Sequence, residues 1–208
     1  MALPQPFTTT SQQLVNYDWT DIAEGTGIVT FDAMTTQEGA TISRILKTTP
    51  LKSKTIVSSS TSGVTPVTDF DFDLSVFNSA RRIGGSCYVY LPTTYVFSYG
   101  GGEVGTCTFT ATIRKWDGTT ETDIGTASGV AFGGTVGTYY QINIFKIELT
   151  ETNFAKGDIL RLNISNTETH GGSPTASSAN VYHDPEDAAV AGLDFTYLKV
   201  EIPFKLDL

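Results

Sequence analysis

Apolar and polar residues alternate along most of this 208-residue chain, and a period of two leaves little room for helices. In the segment DFDFDLSVF (69–77), Phe70, Phe72 and Leu74 occupy every second position and aspartates separate them. Successive side chains of a β-strand point to opposite faces, so this segment is predicted to be a strand with one buried face and one solvated acidic face. The same alternation elsewhere predicts an all-β chain with less than about a tenth of its residues in helices.

The predicted strands are separated by Gly- and Thr-rich turns. The candidate segments are 27–33, 41–47, 54–59, 68–77, 84–91, 106–116, 122–131, 138–149, 159–165, 180–183 and 194–206. About ten such strands predict a two-sheet antiparallel sandwich of the jelly-roll type. No internal repeat or interior linker divides the chain. We therefore predict an extended N-terminal arm at 1–13 and a single jelly-roll domain at 14–208.

Two turns and the last strand can be predicted in more detail. Asp117-Gly118 and Lys156-Gly157-Asp158 each lie between two strand patterns, which is typical of tight turns. The final segment has an apolar face opposite Lys199 and Glu201, formed by Leu198, Val200, Ile202, Phe204 and Leu206. Pro203 cannot donate to a β-ladder, so this strand is predicted to lie at a sheet edge or to contain a bulge.

The charge balance disfavours nucleic acid as a partner. Lys and Arg number 13 against 22 Asp and Glu, which gives a net charge of -9 and a field that repels phosphate backbones. The first residues, MALPQPFTTTSQQ, have neither the basic nor the apolar region of a signal peptide, and no apolar run approaches the roughly 20 residues of a membrane helix. We expect a protein made in a cytoplasm, with no membrane partner.

Cys87 and Cys107 both lie in strand-like segments. If a hairpin joins these two segments, the two residues can lie opposite each other and form a cross-strand disulfide. The favoured interpretation is a pair of buried thiols in a reducing compartment.

Chemically versatile side chains are concentrated in NVYHDPEDAAVAGLDF (180–195), which contains His183, with His170 just upstream. A zinc site needs three or four convergent ligands, and the spacing of the two histidines matches no such motif. HDPED instead favours a turn, followed by a short helical turn that Asp184 caps and Gly192 ends. The carboxylates that alternate along strand 69–73 lie on one side of a strand, whereas a calcium loop arranges its oxygen ligands around the ion. We predict no metal and no cofactor.

No catalytic residues are predicted. The chain has no G-x-S-x-G elbow to expose a serine nucleophile, and its two histidines leave few choices of base. A pair of carboxylates could serve a glycosidase, but no spacing marks a particular pair. The sequence therefore favours a protein that is not an enzyme.

Two stretches are candidates for a partner interface. The basic segment has four cations within eleven residues, namely Arg44, Lys47, Lys52 and Lys54. It could bind an acidic partner, and scattered solvated lysines are the alternative. The arm region contributes the apolar residues Phe7 and Leu14 and could add to the sheet edge of a neighbour.

Several segments resemble a family of virion structural proteins of tailed viruses of bacteria and archaea. They are YDWTDIAEGTGIV (17–29), DFDFDLSVFN (69–78), IRKWDGTTETDIG (113–125), FAKGDILRLNI (154–164), HDP (183–185) and IPFKLDL (202–208). The resemblance spans nearly the whole chain and implies a jelly-roll β-sandwich that serves as a head decoration or cement protein, often trimeric. It further implies the major capsid protein as partner and the capsid surface of the virion as location. It supplies no active-site residues.

Other functions stay open at the level of sequence. A carbohydrate- or receptor-binding module could use the same sandwich, with Tyr88 and Tyr90 facing outward and Trp116 at a hairpin tip as a sugar platform. A polysaccharide hydrolase is a third hypothesis. Capsid versus tail or head-fibre location is not distinguished by these residues.

Overall fold

The computed structural model describes residues 26–38, 41–48, 57–63, 68–98, 103–171, 176–183 and 197–205. Within these ranges the secondary structure is all strand, which confirms the all-β prediction. The strands are β1 (Thr26–Glu38), β2 (Thr41–Lys47), β3 (Val57–Gly63), β4 (Asp69–Asp73), β5 (Arg81–Ser98), β6 (Gly105–Trp116), β7 (Glu121–Ser128), β8 (Phe132–Gly134), β9 (Gly137–Phe154), β10 (Ile159–His170), β11 (Ala176–His183) and β12 (Lys199–Lys205). No helix in these ranges is long and apolar enough to cross a membrane.

Hydrogen bonds join the strands into one continuous path rather than two separate sheets. The order is β3-β11-β5-β12-β1-β2-β4-β10-β6-β7, with β9 paired to β5 and β8 paired to β6. The prediction of a purely antiparallel sandwich is wrong at one junction, where β2 and β4 pair in parallel through Ile45 and Asp73. β3 lies between β2 and β4 in sequence but pairs with β11. β2 and β4 are therefore not joined by a hairpin, and they run in the same direction. The jelly-roll arrangement stays a prediction.

Two long strands organise the two halves of this path. One edge of β5 pairs with β9 and the other edge is shared by β12 and β11. Likewise, one edge of β6 pairs with β10 and the other with β7 and β8. The halves contact each other through side chains. The ring centres of Phe72 and His183 lie 5.4 Å apart in an edge-on arrangement. Gly125 of β7 packs closely against Ile147 of β9, since an added Cβ would lie only 2.7 Å from the Ile147 side chain. We call β1, β2, β3, β5, β9, β11 and β12 the β5 half, and β4, β6, β7, β8 and β10 the β6 half.

The core between the halves follows the predicted alternation. Phe70 and Phe72 are buried, and the aspartates between them point outward. Other members of the same buried cluster are Phe31, Val89, Leu91, Phe109, Ile113, Ile147, Leu160, Leu162, Ile164, Val200 and Ile202. The predicted apolar face of the last strand is confirmed at Leu198, Val200 and Ile202, which are buried, and Phe204 is half-buried; Leu206 lies outside the described residues.

Pro203 lies inside the sheet, because β12 pairs with β1 on one side and β5 on the other. The edge alternative is wrong and the bulge alternative is confirmed, since the register with β5 shifts between Glu201 and Phe204. The bulge accommodates the residue that cannot donate to the ladder.

Both predicted turns are present. Gly118 has a φ of 94° and Gly157 a φ of 98°, a conformation that glycine adopts without steric cost. The Asp117 carboxylate accepts hydrogen bonds from the backbone nitrogens of Thr119 and Thr120 at 2.8 and 2.7 Å. These bonds hold the pKa of Asp117 below its ordinary value. Each turn thus has the local chemistry that its sequence predicts.

The two cysteines are free, buried thiols, as the favoured interpretation predicts. The premise of the disulfide alternative is wrong: Cys87 lies on β5 and Cys107 on β6, which pair with different strands and belong to opposite halves. Burial raises the pKa of Cys87 to about 12 and that of Cys107 to about 11.

We expect both thiols to react with an aromatic disulfide reagent at least about 100-fold more slowly in the native protein than in denaturant, because the thiolate is the reactive form and burial disfavours it. Absorbance of the released chromophore at pH 8 measures both rates. Rapid modification of one thiol per native chain would contradict the buried placement.

Candidate functional site

The outward side of the β5 half carries aromatic residues. On β5, Cys87, Val89 and Leu91 are buried, and Tyr88 and Tyr90 alternate with them as half-buried side chains. This confirms the predicted outward orientation of the two tyrosines. The register places Tyr88 beside Lys146 and Tyr90 beside Ile144 on β9.

β9 extends this aromatic surface with strongly exposed apolar side chains. Ile144 is 62% exposed and Tyr140 is 46% exposed, whereas Phe145 and Ile147 point into the core. Together with their neighbours on β5 and β11 these residues form one surface, which we call the tyrosine face: Tyr88, Tyr90, Tyr140, Ile142, Ile144 and Tyr182. It is most open to solvent at Ile144, on β9, which pairs only with β5 among the described strands.

Sequence reasoning found two members of the tyrosine face and missed the rest. The signal lies in YYQINIFKIEL (139–149), where the apolar positions shift from Tyr140, Ile142 and Ile144 to Phe145 and Ile147. Since side chains alternate between the faces of a strand, this shift places the first three apolar residues on the outward side once Phe145 and Ile147 face the core.

Charged residues of both signs border the tyrosine face. Lys199 lies with its Nζ atom 4.3 Å from the centre of the Tyr90 ring, and the Tyr90 hydroxyl donates to Glu201 at 3.4 Å. Burial, and then the neighbouring Glu201, raise the pKa of Tyr90. On the β9 side, Lys146 and Glu148 form an ion pair at 2.6 Å. Two lysines and two glutamates therefore balance each other along the border.

The outward side of the β6 half is chemically different. Threonine and serine occupy the outward positions of β6, β7 and β10, and we call this surface the hydroxyl face: Thr106, Thr108, Thr110, Thr126, Ser128, Ser165, Thr167 and Thr169. Across β6 and β7 the hydroxyls of Thr110 and Ser128 lie 2.9 Å apart. Such a face is satisfied by its own hydrogen bonds and by water.

Beside the hydroxyl face, two arginines pair with four carboxylates, and a fifth, Asp69, accepts a hydrogen bond from Asn163. We call this group the charged cluster: Asp69, Asp71, Asp73, Arg114, Glu121, Asp123 and Arg161. Arg161 donates to both oxygens of Asp73 at 2.6 and 2.9 Å and also pairs with Glu121. Its hydrogen bond with Asp73 raises the pKa of Arg161. The outward orientation of the aspartates is as predicted, but guanidinium groups rather than water alone neutralise them.

A buried polar network crosses between the halves at the far end of β10. The Glu168 carboxylate accepts hydrogen bonds from the hydroxyls of Tyr95 and Ser177. Asn166 accepts from the backbone nitrogen and the hydroxyl of Thr68, the latter at 2.8 Å. The sequence signal for this network is the arrival of Asn166 and Glu168 at inward positions of β10 after three apolar ones.

The structure places only part of the predicted interface. Arg44 is half-buried, with its guanidinium 4.5 Å from the centre of the Phe70 ring, and burial lowers its pKa. Lys47 is exposed on the opposite face of β2, three residues along. These two cations therefore do not share one basic patch. Four residues lie outside the described ranges, namely Phe7, Leu14, Lys52 and Lys54, and the arm at 1–13 does as well. The interface role of this set stays a prediction.

The remaining candidates are separate from the tyrosine face. Trp116 ends β6, as predicted, and the Arg161 guanidinium lies 5.5 Å from the centre of the Trp116 ring. Both residues belong to the β6 half, so Trp116 does not form one platform with Tyr88 and Tyr90 on the β5 half. His183 is buried against Phe72, and the turn predicted after it at 184–192 lies outside the described residues.

Within the described ranges, no group of three or more His, Cys, Asp or Glu side chains could hold a metal ion. Four acidic residues of the charged cluster are paired with arginines, and Asp69 accepts a hydrogen bond from Asn163.

Comparisons with known proteins give a fold but no family. No protein-family model matches the chain, and no curated protein matches its sequence. Similar solved structures include an α-amino acid ester hydrolase (TM-score 0.53, 10% identity, 84% of this chain and 36% of that chain) and an aminopeptidase from the marine sediment archaeon Thaumarchaeota archaeon (0.51, 8%, 84% and 36%). Infectious bursal disease virus, Gt strain, is a weaker likeness (0.30, 15%, 86% and 36%).

The chain spans about a third of the length of these solved chains. At such low identity the two hydrolase likenesses show a shared β-fold alone. The viral likeness is weak.

Proposed function

We propose that the protein is a virion structural protein of the decoration or cement type, which binds the shell of a virus head through contact area. The observation that carries this proposal is the tyrosine face, an exposed apolar surface suited to joining copies of the chain into the oligomer that binds the shell. One outward surface of the molecule is covered with hydroxyls and ion pairs, and the other exposes tyrosine and isoleucine. The sequence resemblance to virion structural proteins supports the same function.

The composition of the tyrosine face suits binding to protein. Tyrosine is enriched at the centres of protein interfaces, where its ring buries a large area at a low cost in side-chain entropy. Exposed Ile144 and Tyr140 would lose unfavourable contact with water on binding. The charged residues at the border would form the polar rim.

Avidity would give such a protein a high overall affinity for the shell. A symmetric oligomer, which we propose to be a trimer, engages several subunits of the major capsid protein at once, so modest individual contacts suffice. The arm and the basic segment are the proposed contacts with the shell. The protein would be made in the host cytoplasm and would act at the capsid surface of the virion.

The test is binding of the purified chain to shells assembled from the major capsid protein encoded in the same genome. We expect the full chain to co-sediment with the shells. Deletion of Met1 to Gln12 should lower the occupancy while circular dichroism of the truncated chain stays unchanged. Thr167→Ala, on the hydroxyl face, is the matched control and should bind like the full chain.

Failure of the full chain to bind these shells at concentrations of tens of micromolar would overturn the proposed function. Unchanged occupancy after the deletion would instead remove the arm from the interface and leave binding to the folded part of the chain.

A carbohydrate- or receptor-binding module is the second candidate, and one observation favours it. Tyr88 and Tyr90 present half-exposed rings beside the polar groups of Lys199 and Glu201. Rings of this kind can stack on sugars while neighbouring polar groups accept and donate hydrogen bonds. Binding to a glycan array, lost in Tyr90→Ala, would support this function over the first.

A further inference from the structure

We propose that the tyrosine face is the surface through which copies of this chain bind one another. The inference rests on the proposed function, because it names the partner that joins decoration subunits into an oligomer. It commits to a second copy of the chain as occupant of the face and leaves the shell to other surfaces.

The first argument is the pattern of β9. Its outward positions carry three large apolar side chains in a row, Tyr140, Ile142 and Ile144, although Gln141 and Asn143 occupy the inward positions between them. The described chain leaves Ile144 62% exposed and Tyr140 46% exposed. A partner that covers this outward row would remove both side chains from water.

The second argument is electrostatic. Two copies of a chain with a net charge of -9 repel each other, so they associate most readily through surfaces that carry no excess charge. The border of the tyrosine face is balanced, with Lys146 and Lys199 against Glu148 and Glu201. The charged cluster on the other half has five carboxylates against two arginines. Two copies therefore meet with less repulsion through the tyrosine face than through the hydroxyl side.

The third argument is size. From Tyr140 to Ile144 the exposed part of the face extends about 13 Å along β9, and the neighbouring strand β5 gives it a width of about 10 Å. This area is smaller than the roughly 800 Å² that each partner contributes to a standard interface. It fits the apolar centre of such an interface, with the bordering lysines and glutamates as the rim. A second copy brings the same lysines and glutamates, so opposite charges are available on both sides of the contact.

Sedimentation equilibrium of the full chain tests this inference. We expect the wild type to self-associate at micromolar concentration. Ile144→Lys places a charge at the most exposed apolar position of the face and should raise the dissociation constant at least about tenfold. Because Ile144 is largely exposed, this change spares the core. Thr167→Lys adds the same charge to the hydroxyl face and should associate like the wild type.

Tyr140→Ser is a second variant, which shortens the face without adding charge. Its self-association should also weaken, and thermal unfolding followed by circular dichroism checks that both variants keep their fold. A wild type that stays monomeric at about 100 µM would overturn the inference, as would an Ile144→Lys variant with unchanged association. Loss of glycan binding in Ile144→Lys from a monomeric wild type would assign the face to a sugar instead.

Failure of this inference is distinguishable from failure of the proposed function. A monomer that still binds the shells would overturn the inference and leave the decoration role intact. An oligomer that depends on Ile144 but does not bind the shells would support the inference and overturn the decoration role.

Discussion

Replacement of Phe72 with alanine should lower the free energy of unfolding by about 3–5 kcal/mol. Phe72 is fully buried on β4, where its ring meets the edge of His183 from the β5 half. Truncation removes the transfer free energy of the ring and leaves a cavity between the two halves that close packing fills only in part. A small domain has about 5–15 kcal/mol of stability in total, so the loss is a large share of it.

Urea unfolding followed by tryptophan fluorescence measures this effect. Val76→Ala is the control, because Val76 lies a few residues along the same segment and is 52% exposed. It should change the free energy by less than about 0.5 kcal/mol. A Phe72→Ala variant within about 1 kcal/mol of this control would contradict the placement of Phe72 between the halves.

Asn166→Ala should cost about 2–4 kcal/mol, for a different physical reason. The Asn166 side chain accepts from two donors of Thr68, a residue that is fully buried, and donates to the sulfur of Cys107 at 3.4 Å. Removing the amide leaves the backbone nitrogen of Thr68 buried without this acceptor. Desolvation of such a group is not recovered elsewhere in the core.

A double-mutant cycle with Thr68→Val separates the two hydrogen bonds. Thr68→Val keeps the shape of the side chain and removes only the hydroxyl donor, so it should cost about 1 kcal/mol. Each single variant loses the hydrogen bond between the Thr68 hydroxyl and Asn166, and the double variant loses the same bond only once. The loss of stability in the double variant should therefore be smaller than the sum of the two single losses by about 0.5–1.5 kcal/mol. Strict additivity would place the hydroxyl of Thr68 outside the network.

The strands were predictable because alternation depends on each segment alone. Phe72 is apolar between aspartates, and a half-buried strand follows from that pattern without knowledge of its neighbours. The Asp117-Gly118 turn was predictable for the same reason, since the carboxylate and the positive φ act within a few residues. The three-residue strand β8 was missed, as it is too short to show a period.

Strand order could not be predicted, because alternation specifies which face is buried but not which strand is adjacent. Pro203 shows the difference: its missing donor is compatible with an edge or with a bulge, and only the neighbours β1 and β5 decide for the bulge. Cys87 and Cys107 are likewise close in sequence but lie on strands with different partners.

The candidate site was predictable only in part. Tyr88 and Tyr90 alternate with apolar residues, so their outward direction followed from β5 itself. Tyr182 joins them through the pairing of β11 with β5, two segments that are distant in sequence. The pairing of Arg114 and Arg161 with the acidic strand depends on the same kind of distant contact, and nothing in the local pattern around either arginine indicates it.

The junction of β2 and β4 makes the molecule mechanically anisotropic. Among the described residues, these strands share a single bridge, between Ile45 and Asp73, whereas β5 and β9 pair along most of their length. A force that pulls β9 along β5 is shared among the many hydrogen bonds of their ladder. A force that separates β2 from β4 is resisted by one backbone bridge and by the contact of Arg44 with Phe70. We expect the molecule to be stiffer within each half than along this line. In the proposed decoration role, sliding at this line would let the molecule follow an expanding shell without loss of either long ladder.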